Sequence, residues 1–254
     1  MLTTAIHTME DPRLLPHKTL LQKAISAFFV TLVVTCALIF QGAENVARAS
    51  ENSANQPIRI LAFGDSLTAG YGLDDPSAAF PARLEARLKE KGYQVEILQA
   101  GVSGDTTTGG RSRLEWSLAD EPDAVIVALG GNDALRAVSP SVTADNMEFI
   151  VNRIQEEGLP VLIAGMLAPP NLGRDYGDRF NSIFPMVAEK TGALIYPFFL
   201  EGVAAEPDLN QDDGIHPNVE GVEIIVAGIL PMVEKLISQV EEKRSGRQSA
   251  SSSN

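Results

Sequence analysis

The sequence predicts a three-layer α/β/α sandwich built on a five-stranded parallel β-sheet. Five short apolar runs bounded by turn residues indicate buried strands, and amphipathic stretches separate them. A helix between two strands returns the chain to the same end of the sheet, which makes neighbouring strands parallel. The predicted strands are Ile58–Phe63, Val95–Gln99, Ala124–Leu129, Val161–Met166 and Ala193–Phe198.

The helices are predicted from apolar residues that recur every three or four positions. Two such sets are Phe80, Leu84 and Leu88, and Met147, Ile150, Val151 and Ile154. A last helix is predicted from Asn218 to about Val240, and Pro231 is expected to kink it or to end its first part. Residues 56–240 then form one domain of ordinary size.

Residues 1–49 are predicted to be a signal peptide. Basic residues at positions 13, 18 and 23 precede the uncharged apolar stretch Ala24–Gln41, and Ala47-Arg48-Ala49 has the small-x-small pattern that signal peptidase recognises. Cleavage after Ala49 would place the mature protein in the periplasm or outside the cell, without stable membrane insertion. The alternative is an uncleaved membrane anchor, because the apolar stretch approaches the length that spans a bilayer.

Residues 241–254 are predicted to be a disordered polar tail. The segment from Glu241 to Asn254 is charged at first and then rich in serine. It has too few apolar side chains to offset the entropy lost on ordering.

The composition excludes several kinds of function. With 20 Lys and Arg against 33 Asp and Glu, the formal net charge of −13 disfavours binding to nucleic acid or to anionic membrane surfaces. The one cysteine, Cys36, lies in the predicted leader, and His216 is the single histidine of the predicted mature chain. A disulfide framework, a thiolate nucleophile and a multi-histidine metal site are therefore excluded, which leaves only a carboxylate-rich metal site possible. The acyl-transfer chemistry considered below requires no cofactor or metal.

Polar loops follow four of the predicted strands. The carboxyl ends of parallel strands meet at one edge of a sheet, where open α/β sheets bind ligands, so we expect these loops to lie together. The loops are Gly64-Asp65-Ser66-Leu67, Gly101-Val102-Ser103-Gly104-Asp105, Gly130-Gly131-Asn132-Asp133 and Asp213-Gly214-Ile215-His216-Pro217.

Ser66 and His216 are the candidate nucleophile and general base. A serine at a strand-to-helix turn can project its hydroxyl from the sheet edge, and it needs an imidazole to accept its proton. The plainer interpretation makes Ser66 or Asp65 a helix cap and His216 a surface residue. Either Asp213 or Asp212 could accept the Nδ1 hydrogen of His216, and spacing alone leaves that choice open.

Gly104, Asn132 and the backbone of Ser66 are the candidate donors to an oxyanion. Acyl transfer needs such donors as the carbonyl becomes tetrahedral. A glycine lets a backbone N–H approach a substrate closely, and an asparagine amide donates without adding charge. The plainer interpretation is that Gly104 permits a turn and that Asn132 belongs to a helix cap.

These blocks resemble the SGNH hydrolases, also called GDSL esterases and lipases, which are named for Ser, Gly, Asn and His in four sequence blocks. Gly64-Asp65-Ser66-Leu67 is similar to the nucleophile block, Gly104 to the glycine block, Gly130-Gly131-Asn132-Asp133 to the asparagine block and Asp213-Gly214-Ile215-His216-Pro217 to the last block. The resemblance extends from about Ile58 to Val240. It is strongest to the bacterial thioesterase I/protease I/lysophospholipase branch, often called arylesterases.

The resemblance implies a flavodoxin-like sheet of strand order 2-1-3-4-5. It also implies a triad of Ser66, His216 and Asp213, the last because the family's acid stands three residues before the histidine. The oxyanion hole would comprise Ser66, Gly104 and Asn132. The implied function is a periplasmic serine hydrolase that cleaves carboxylic esters and thioesters through an acyl-enzyme on Ser66, with small acyl esters as partners and no cofactor.

Leu135, Leu167 and Leu172 are the candidate acyl-binding residues, because the resemblance implies a pocket near Asn132 and the 169–172 segment; ordinary core packing is the alternative. Two other functions stay open. One is a deacetylase of carbohydrates or small esters, and the other is a non-catalytic periplasmic module that binds an acyl or sugar ligand. A nucleotide site is disfavoured, because the chain lacks a Gly-Lys-Ser/Thr phosphate loop and the dinucleotide glycine spacing.

Overall fold

The computed structural model of the protein describes residues 56–251, and the predicted five-stranded parallel sheet is confirmed there. The strands are β1 (Ile58–Gly64), β2 (Val95–Gly101), β3 (Ala124–Ala128), β4 (Val161–Ala164) and β5 (Leu194–Tyr196). Their order across the sheet is β2-β1-β3-β4-β5, and every neighbouring pair is parallel.

Helices follow each strand, in agreement with the predicted alternation. They are α1 (Ser66–Ala69), α2 (Phe80–Glu90), α3 (Thr107–Leu118), α4 (Gly131–Leu135), α5 (Pro140–Glu156), α6 (Arg174–Asn181), α7 (Ile183–Thr191) and α8 (Val219–Ser251). Short 3₁₀ turns occupy Pro76–Ala78, Pro170–Leu172 and Pro207–Leu209.

The strand order decides which face of the sheet each helix covers. The chain moves one way from β1 to β2 and the other way from β2 to β3, β4 and β5. Because such crossovers are right-handed, α2 covers one face while α3, α5 and α7 cover the other. The packing agrees, since α2 packs against α8, and α5 packs against both α3 and α7. The sheet is thus enclosed by helices on both sides.

The sheet is the centre of the hydrophobic core. Every residue of β3 and β4 is buried, and these strands are continuous apolar runs rather than alternating ones. Strands covered on both faces require this pattern. Large side chains fill the space between sheet and helices, among them Phe63, Phe80, Phe180 and Phe184.

The last two strands are shorter than predicted. β4 ends at Ala164 instead of Met166, and β5 ends at Tyr196 instead of Phe198. Pro197 follows β5 and has no N–H to continue the ladder. Gly165 then donates to the carbonyl of Tyr196 at 2.8 Å, and its own carbonyl accepts from Phe199 at 2.8 Å.

The final helix continues through Pro231, where a kink or an end was expected. It spans Val219–Ser251. The proline removes one backbone hydrogen bond, but the apolar face on both sides of it is buried, with Ile229, Val233 and Ile237 each fully enclosed. Packing against the rest of the domain therefore outweighs the local cost of the proline.

Residues 241–251 are helical, in contrast to the disordered tail that was predicted from Glu241. Arg244 connects this segment to the amino-terminal end of the sheet. Its guanidinium donates to the carbonyl of Gln56 at 3.0 Å, to that of Pro57 at 3.4 Å and to the carboxylate of Asp123 at 2.8 Å. Composition cannot reveal such contacts, because their partners are more than a hundred residues away along the chain.

The predicted leader, residues 1–49, and the last residues of the tail, 252–254, lie outside the described residues. Within residues 56–251, no helix has both the length and the apolar character needed to cross a bilayer.

We expect Gly101→Ala to destabilise the fold at the turn that contains Ser66. A Cβ at Gly101 would lie 2.4 Å from the backbone nitrogen of Ala69 and 2.9 Å from the carbonyl oxygen of Asp65, so backbone has to move. The free energy of unfolding should fall by about 1–3 kcal/mol in urea titrations.

Gly177→Ala is the matched control. Gly177 lies within α6, and a Cβ there meets nothing within 4 Å. This variant should be neutral or more stable by up to about 1 kcal/mol, since alanine favours helix. Equal stability of the two variants would contradict the steric argument.

Candidate active site

The turn after β1 presents Ser66 at the carboxyl edge of the sheet. β1 ends at Gly64, Asp65 caps α1 by accepting the Leu67 N–H at 3.0 Å, and Ser66 is the first helical residue. A Cβ at Gly64 would lie 2.8 Å from the carbonyl oxygen of Ala128, so only glycine fits this close approach. Asp65 is therefore the cap, and the hydroxyl of Ser66 is free for other contacts.

A continuous hydrogen-bonded chain joins Ser66, His216 and Asp213. Nε2 of His216 lies 2.9 Å from Oγ of Ser66, and Nδ1 lies 2.6 Å from Oδ2 of Asp213. An ionised carboxylate only accepts hydrogen bonds, so Nδ1 holds a hydrogen and Nε2 of the neutral ring accepts from the serine hydroxyl. This arrangement can take the serine proton as the oxygen attacks a carbonyl.

Asp213, and not its neighbour Asp212, is the acid in contact with the imidazole. Its Oδ1 also accepts the backbone N–H groups of Ile215 at 2.9 Å and of His216 at 3.0 Å. The backbone N–H of His216, then its imidazole, then the N–H of Ile215 lower the pKa of Asp213 to about 2. The carboxylate is therefore ionised throughout the neutral range and holds one orientation of the ring.

Ser66, Gly104 and Asn132, the three predicted oxyanion donors, line one cavity. Within residues 56–251, the backbone N–H groups of Ser66 and Gly104 donate to no other residue. Nδ2 of Asn132 donates one hydrogen to Asp65 Oδ2 at 3.3 Å, which leaves its second hydrogen for a ligand. Gly104 has φ of 79°, a conformation that favours glycine. Three donors are thus available beside the serine.

The buried carboxylate of Asp133 joins the loops after β2 and β3. It accepts the backbone N–H of Thr107 at 2.8 Å, the Thr107 hydroxyl at 2.5 Å and the Thr143 hydroxyl at 3.1 Å. Nη2 of Arg136 donates to the carbonyl of Gly104 at 2.8 Å between the same two loops. These bonds hold the loops that contain the candidate oxyanion donors Gly104 and Asn132 together. No motif in the sequence indicates them.

Arg113 joins the ends of β1 and β2. Its guanidinium donates to the carbonyl of Gly64 at 2.8 Å, to that of Ala100 at 3.0 Å and to the carboxylate of Asp105 at 2.7 Å. It also lies over the ring of Phe63, 4.1 Å from the centroid. Helical periodicity gave no signal for this role, because α3 places Arg113 on a face that meets the strand ends rather than solvent.

Asp65 is almost fully buried beside the serine. Burial, with a smaller contribution from the charge of Asp105, raises the pKa of Asp65 to a net value of about 6. The hydrogen bonds from Leu67 and Asn132, together with His216, act in the opposite direction. Asp65 is thus a carboxyl group that gains a proton on folding at mildly acidic pH.

We expect Asp65→Asn to remove one pH dependence of stability. Folded Asp65 keeps its proton up to about pH 6, whereas the unfolded chain loses it near pH 4. The wild-type protein therefore has a stability contribution of up to about 3 kcal/mol that is present below about pH 4 and lost as pH rises through 6. In urea unfolding, the stability of the variant relative to the wild type should increase as the pH rises from about 4 to 6. A constant difference would contradict the assignment.

An apolar cavity of about 710 Å³ opens beside Ser66. This volume is within the usual range of small-molecule sites. Of the three predicted acyl-binding leucines, Leu135 and Leu167 line it and Leu172 does not. Leu172 ends the 3₁₀ turn that begins at Pro170, and such a turn rotates successive side chains by about 120°. Pro170, and not Leu172, therefore lines this cavity.

Several lining residues were absent from the predictions. They lie in the segments that connect strands to the following helices, where irregular loops give no periodic signal. They include Tyr71, Met166, Phe198, Leu200 and Ile215. Within residues 56–251, no three His, Cys, Asp or Glu side chains are placed together to hold a metal ion.

A parallel α/β sheet whose carboxyl edge presents a hydrogen-bonded serine, histidine and aspartate defines the class of α/β serine hydrolases. The chain belongs to the GDSL-like lipase/acylhydrolase family, whose model matches residues 62–224. This membership confirms the resemblance to SGNH hydrolases, and the chain is a serine esterase of that type.

Two relatives have similar sequences over most of the chain. Esterase TesA of Pseudomonas aeruginosa is 35% identical over 202 residues, which are 79% of this chain and 99% of the relative. Thioesterase 1/protease 1/lysophospholipase L1 of Escherichia coli K12 is 35% identical over 180 residues, 70% of this chain and 85% of the relative. Among solved structures, AlinE4, an SGNH-hydrolase family esterase, is 46% identical with a TM-score of 0.61, covering 71% of this chain and 97% of that one.

Proposed function

We propose that Ser66, His216 and Asp213 hydrolyse carboxylic esters and thioesters through an acyl-enzyme on Ser66. The observation that supports this most is the hydrogen-bonded chain from Asp213 to His216 to Ser66, with contacts of 2.6 and 2.9 Å, at the wall of an apolar cavity. A surface histidine without a catalytic role has no reason to contact both a carboxylate through Nδ1 and a serine hydroxyl through Nε2.

Acylation begins when Ser66 Oγ attacks the acyl carbonyl carbon and Nε2 of His216 takes the hydroxyl proton. The carbonyl π electrons move to oxygen, and the resulting oxyanion accepts hydrogen bonds from Ser66 N–H, Gly104 N–H and Asn132 Nδ2. The tetrahedral intermediate then collapses. The imidazolium donates its proton to the departing oxygen or sulfur, which leaves as an alcohol or thiol.

Deacylation repeats these steps with water as the nucleophile. Nε2 of His216 accepts a water proton as the water oxygen attacks the acyl carbon, and the proton returns to Ser66 Oγ as the acid departs. Asp213 stabilises the imidazolium in both halves because its low pKa keeps it ionised. The chemistry uses no metal or organic cofactor.

The substrate that fits best is an ester with one acyl chain. Leu135 and Leu167 are half exposed within the cavity, and an acyl chain would cover them. The relatives named esterase, arylesterase and thioesterase/lysophospholipase fit this choice.

We further propose that residues 1–49 direct export to the periplasm, so that lysophospholipids and small carboxylic esters are available substrates. Fractionation with intact-mass analysis should then find a periplasmic chain that starts at Ser50.

We expect Ser66→Ala to abolish turnover of p-nitrophenyl esters while the fold stays intact, because the variant has no nucleophile. The wild-type protein should gain one adduct on Ser66 from a fluorophosphonate ester, located by intact mass and peptide mapping, and the variant should gain none. Ser103→Ala is the matched control, since Ser103 lines the same cavity. Hydrolysis near the wild-type rate in Ser66→Ala would refute the mechanism, and a folded wild type without an adduct would favour a non-catalytic binding module.

We expect Asn132→Ala to lower kcat more than it raises KM. The amide stabilises charge that is present on the oxyanion and absent from the ground-state carbonyl. Loss of one donor costs about 2.7–4 kcal/mol of barrier, or about 10²–10³ in kcat. Steady-state kinetics on one ester would separate the two constants. An unchanged kcat would remove Asn132 from the oxyanion hole.

A further inference from the structure

We propose that the ring of Tyr71 forms the leaving-group subsite of this active site and favours esters whose alcohol is an aryl group. The inference rests on the proposed function of Ser66 and His216. It goes beyond that function by assigning the alcohol side of the substrate to one residue.

The ring of Tyr71 lies against the imidazole and is still open to a ligand. The two ring centroids are 4.7 Å apart, with their planes at 43°. Tyr71 lines the cavity beside Ser66, and 55% of its surface is exposed. An aromatic ring in this position offers an apolar surface directly next to the group that moves the proton.

The reaction itself places the leaving group at this ring. In the tetrahedral intermediate, the oxyanion is directed to the N–H donors, while the departing oxygen must lie within about 3 Å of Nε2 of His216 to receive its proton. The first atoms of the alcohol therefore lie against the imidazole. A phenyl group on that oxygen comes within the 4.5–7 Å centroid distance at which aromatic rings attract each other, and Tyr71 is the ring beside it.

The backbone of Tyr71 is tied to both reacting side chains. Its N–H donates to the carbonyl of Ser66 at 3.1 Å, and its carbonyl accepts from Nε2 of Gln211 at 2.8 Å. Gln211 in turn donates its backbone N–H to the carbonyl of His216 at 2.8 Å. The backbone of Tyr71 is thus positioned by the same segments that position the serine and the histidine.

The acyl side of the cavity comes from other segments. Leu135 follows Asn132 in α4, and Leu167 and Pro169 follow β4. Substitutions at Tyr71 and at Leu135 should therefore change different parts of substrate preference. This separation makes the subsite testable apart from the acyl pocket.

The test compares two acetate esters with alcohols of similar acidity, phenyl acetate and hexafluoroisopropyl acetate. Both form the same acetyl-enzyme, so the ratio of their kcat/KM values reports on the alcohol during acylation. Tyr71→Ala should lower the phenyl-to-alkyl ratio by about 2- to 10-fold, the size of one aromatic contact. Tyr71→Phe should keep the ratio, and Tyr71→Leu, which keeps apolar bulk without a ring, should lower it.

Two controls separate this subsite from other roles. Leu135→Ala should keep the phenyl-to-alkyl ratio while it changes the preference between acetate and octanoate esters. A fluorophosphonate, whose fluoride is too small to reach the ring, should label Ser66 at the same rate in Tyr71→Ala and in the wild type. Normal labelling also shows that the variant is folded.

Three results would overturn the inference. A phenyl-to-alkyl ratio unchanged in both Tyr71→Ala and Tyr71→Leu removes the subsite and leaves the proposed function intact. An equal loss on both esters and in the labelling rate makes Tyr71 a positioning residue for His216 instead. A folded wild-type protein that is not labelled at Ser66 overturns the proposed function, and the subsite with it.

Discussion

The parallel pairing of β1 between β2 and β3 is the constraint on which the site depends. The last paired residues of these strands are in register, with Gly64 opposite both Gly101 and Ala128. Ser66, Gly104 and Asn132 each follow within a few residues of that common rung. The chain changes direction at β1, which opens the crevice where such sheets bind ligands. The backbone register alone therefore places the loops of Ser66, Gly104 and Asn132 side by side, although they are distant in sequence.

Three aspartates in this small region differ in role because their surroundings differ. Asp133 is fully buried and accepts three hydrogen bonds from threonines, so it braces two loops. Asp65 is buried with fewer donors, and its pKa rises to about 6. Asp213 is near the surface with N–H donors at both oxygens, and its pKa falls to about 2. The environment of Asp213 thus keeps its carboxylate charged beside the imidazole throughout the neutral range.

Much of the fold could be predicted from the sequence because its signals are local. The five apolar runs predicted the strands, and the alternation with helices predicted parallel pairing. The helical course of residues 241–251 could not be predicted, because Arg244 holds it through Asp123 on a distant segment. The ends of β4 and β5 were predicted two residues too late. Pro197 has no N–H with which to continue the ladder after β5.

In the candidate site, only the residues that belong to recognisable sequence motifs could be predicted. Ser66, His216 and Asn132 lie in blocks with recognisable spacing, so they could be named in advance. Arg113 could not, because its partners are carbonyl groups at strand ends, and a backbone carbonyl has no sequence identity. Leu172 was assigned to the cavity because the resemblance places the 169–172 segment there, whereas the rotation of a 3₁₀ turn decides which side chain faces inward.

The histidine loop shows why such non-local contacts matter for chemistry. His216 follows β5 by twenty residues of mostly irregular chain, so local preferences cannot set its ring to within hydrogen-bond distance of Ser66. Gln211 supplies the missing constraint, since its amide donates to the carbonyls of both Tyr71 and Pro217 at 2.8 and 3.0 Å. One side chain thus links the segment after the serine to the segment around the histidine. Because proton transfer requires a contact of about 3 Å, a neutral amide that touches neither reacting side chain contributes to the geometry in which the two react.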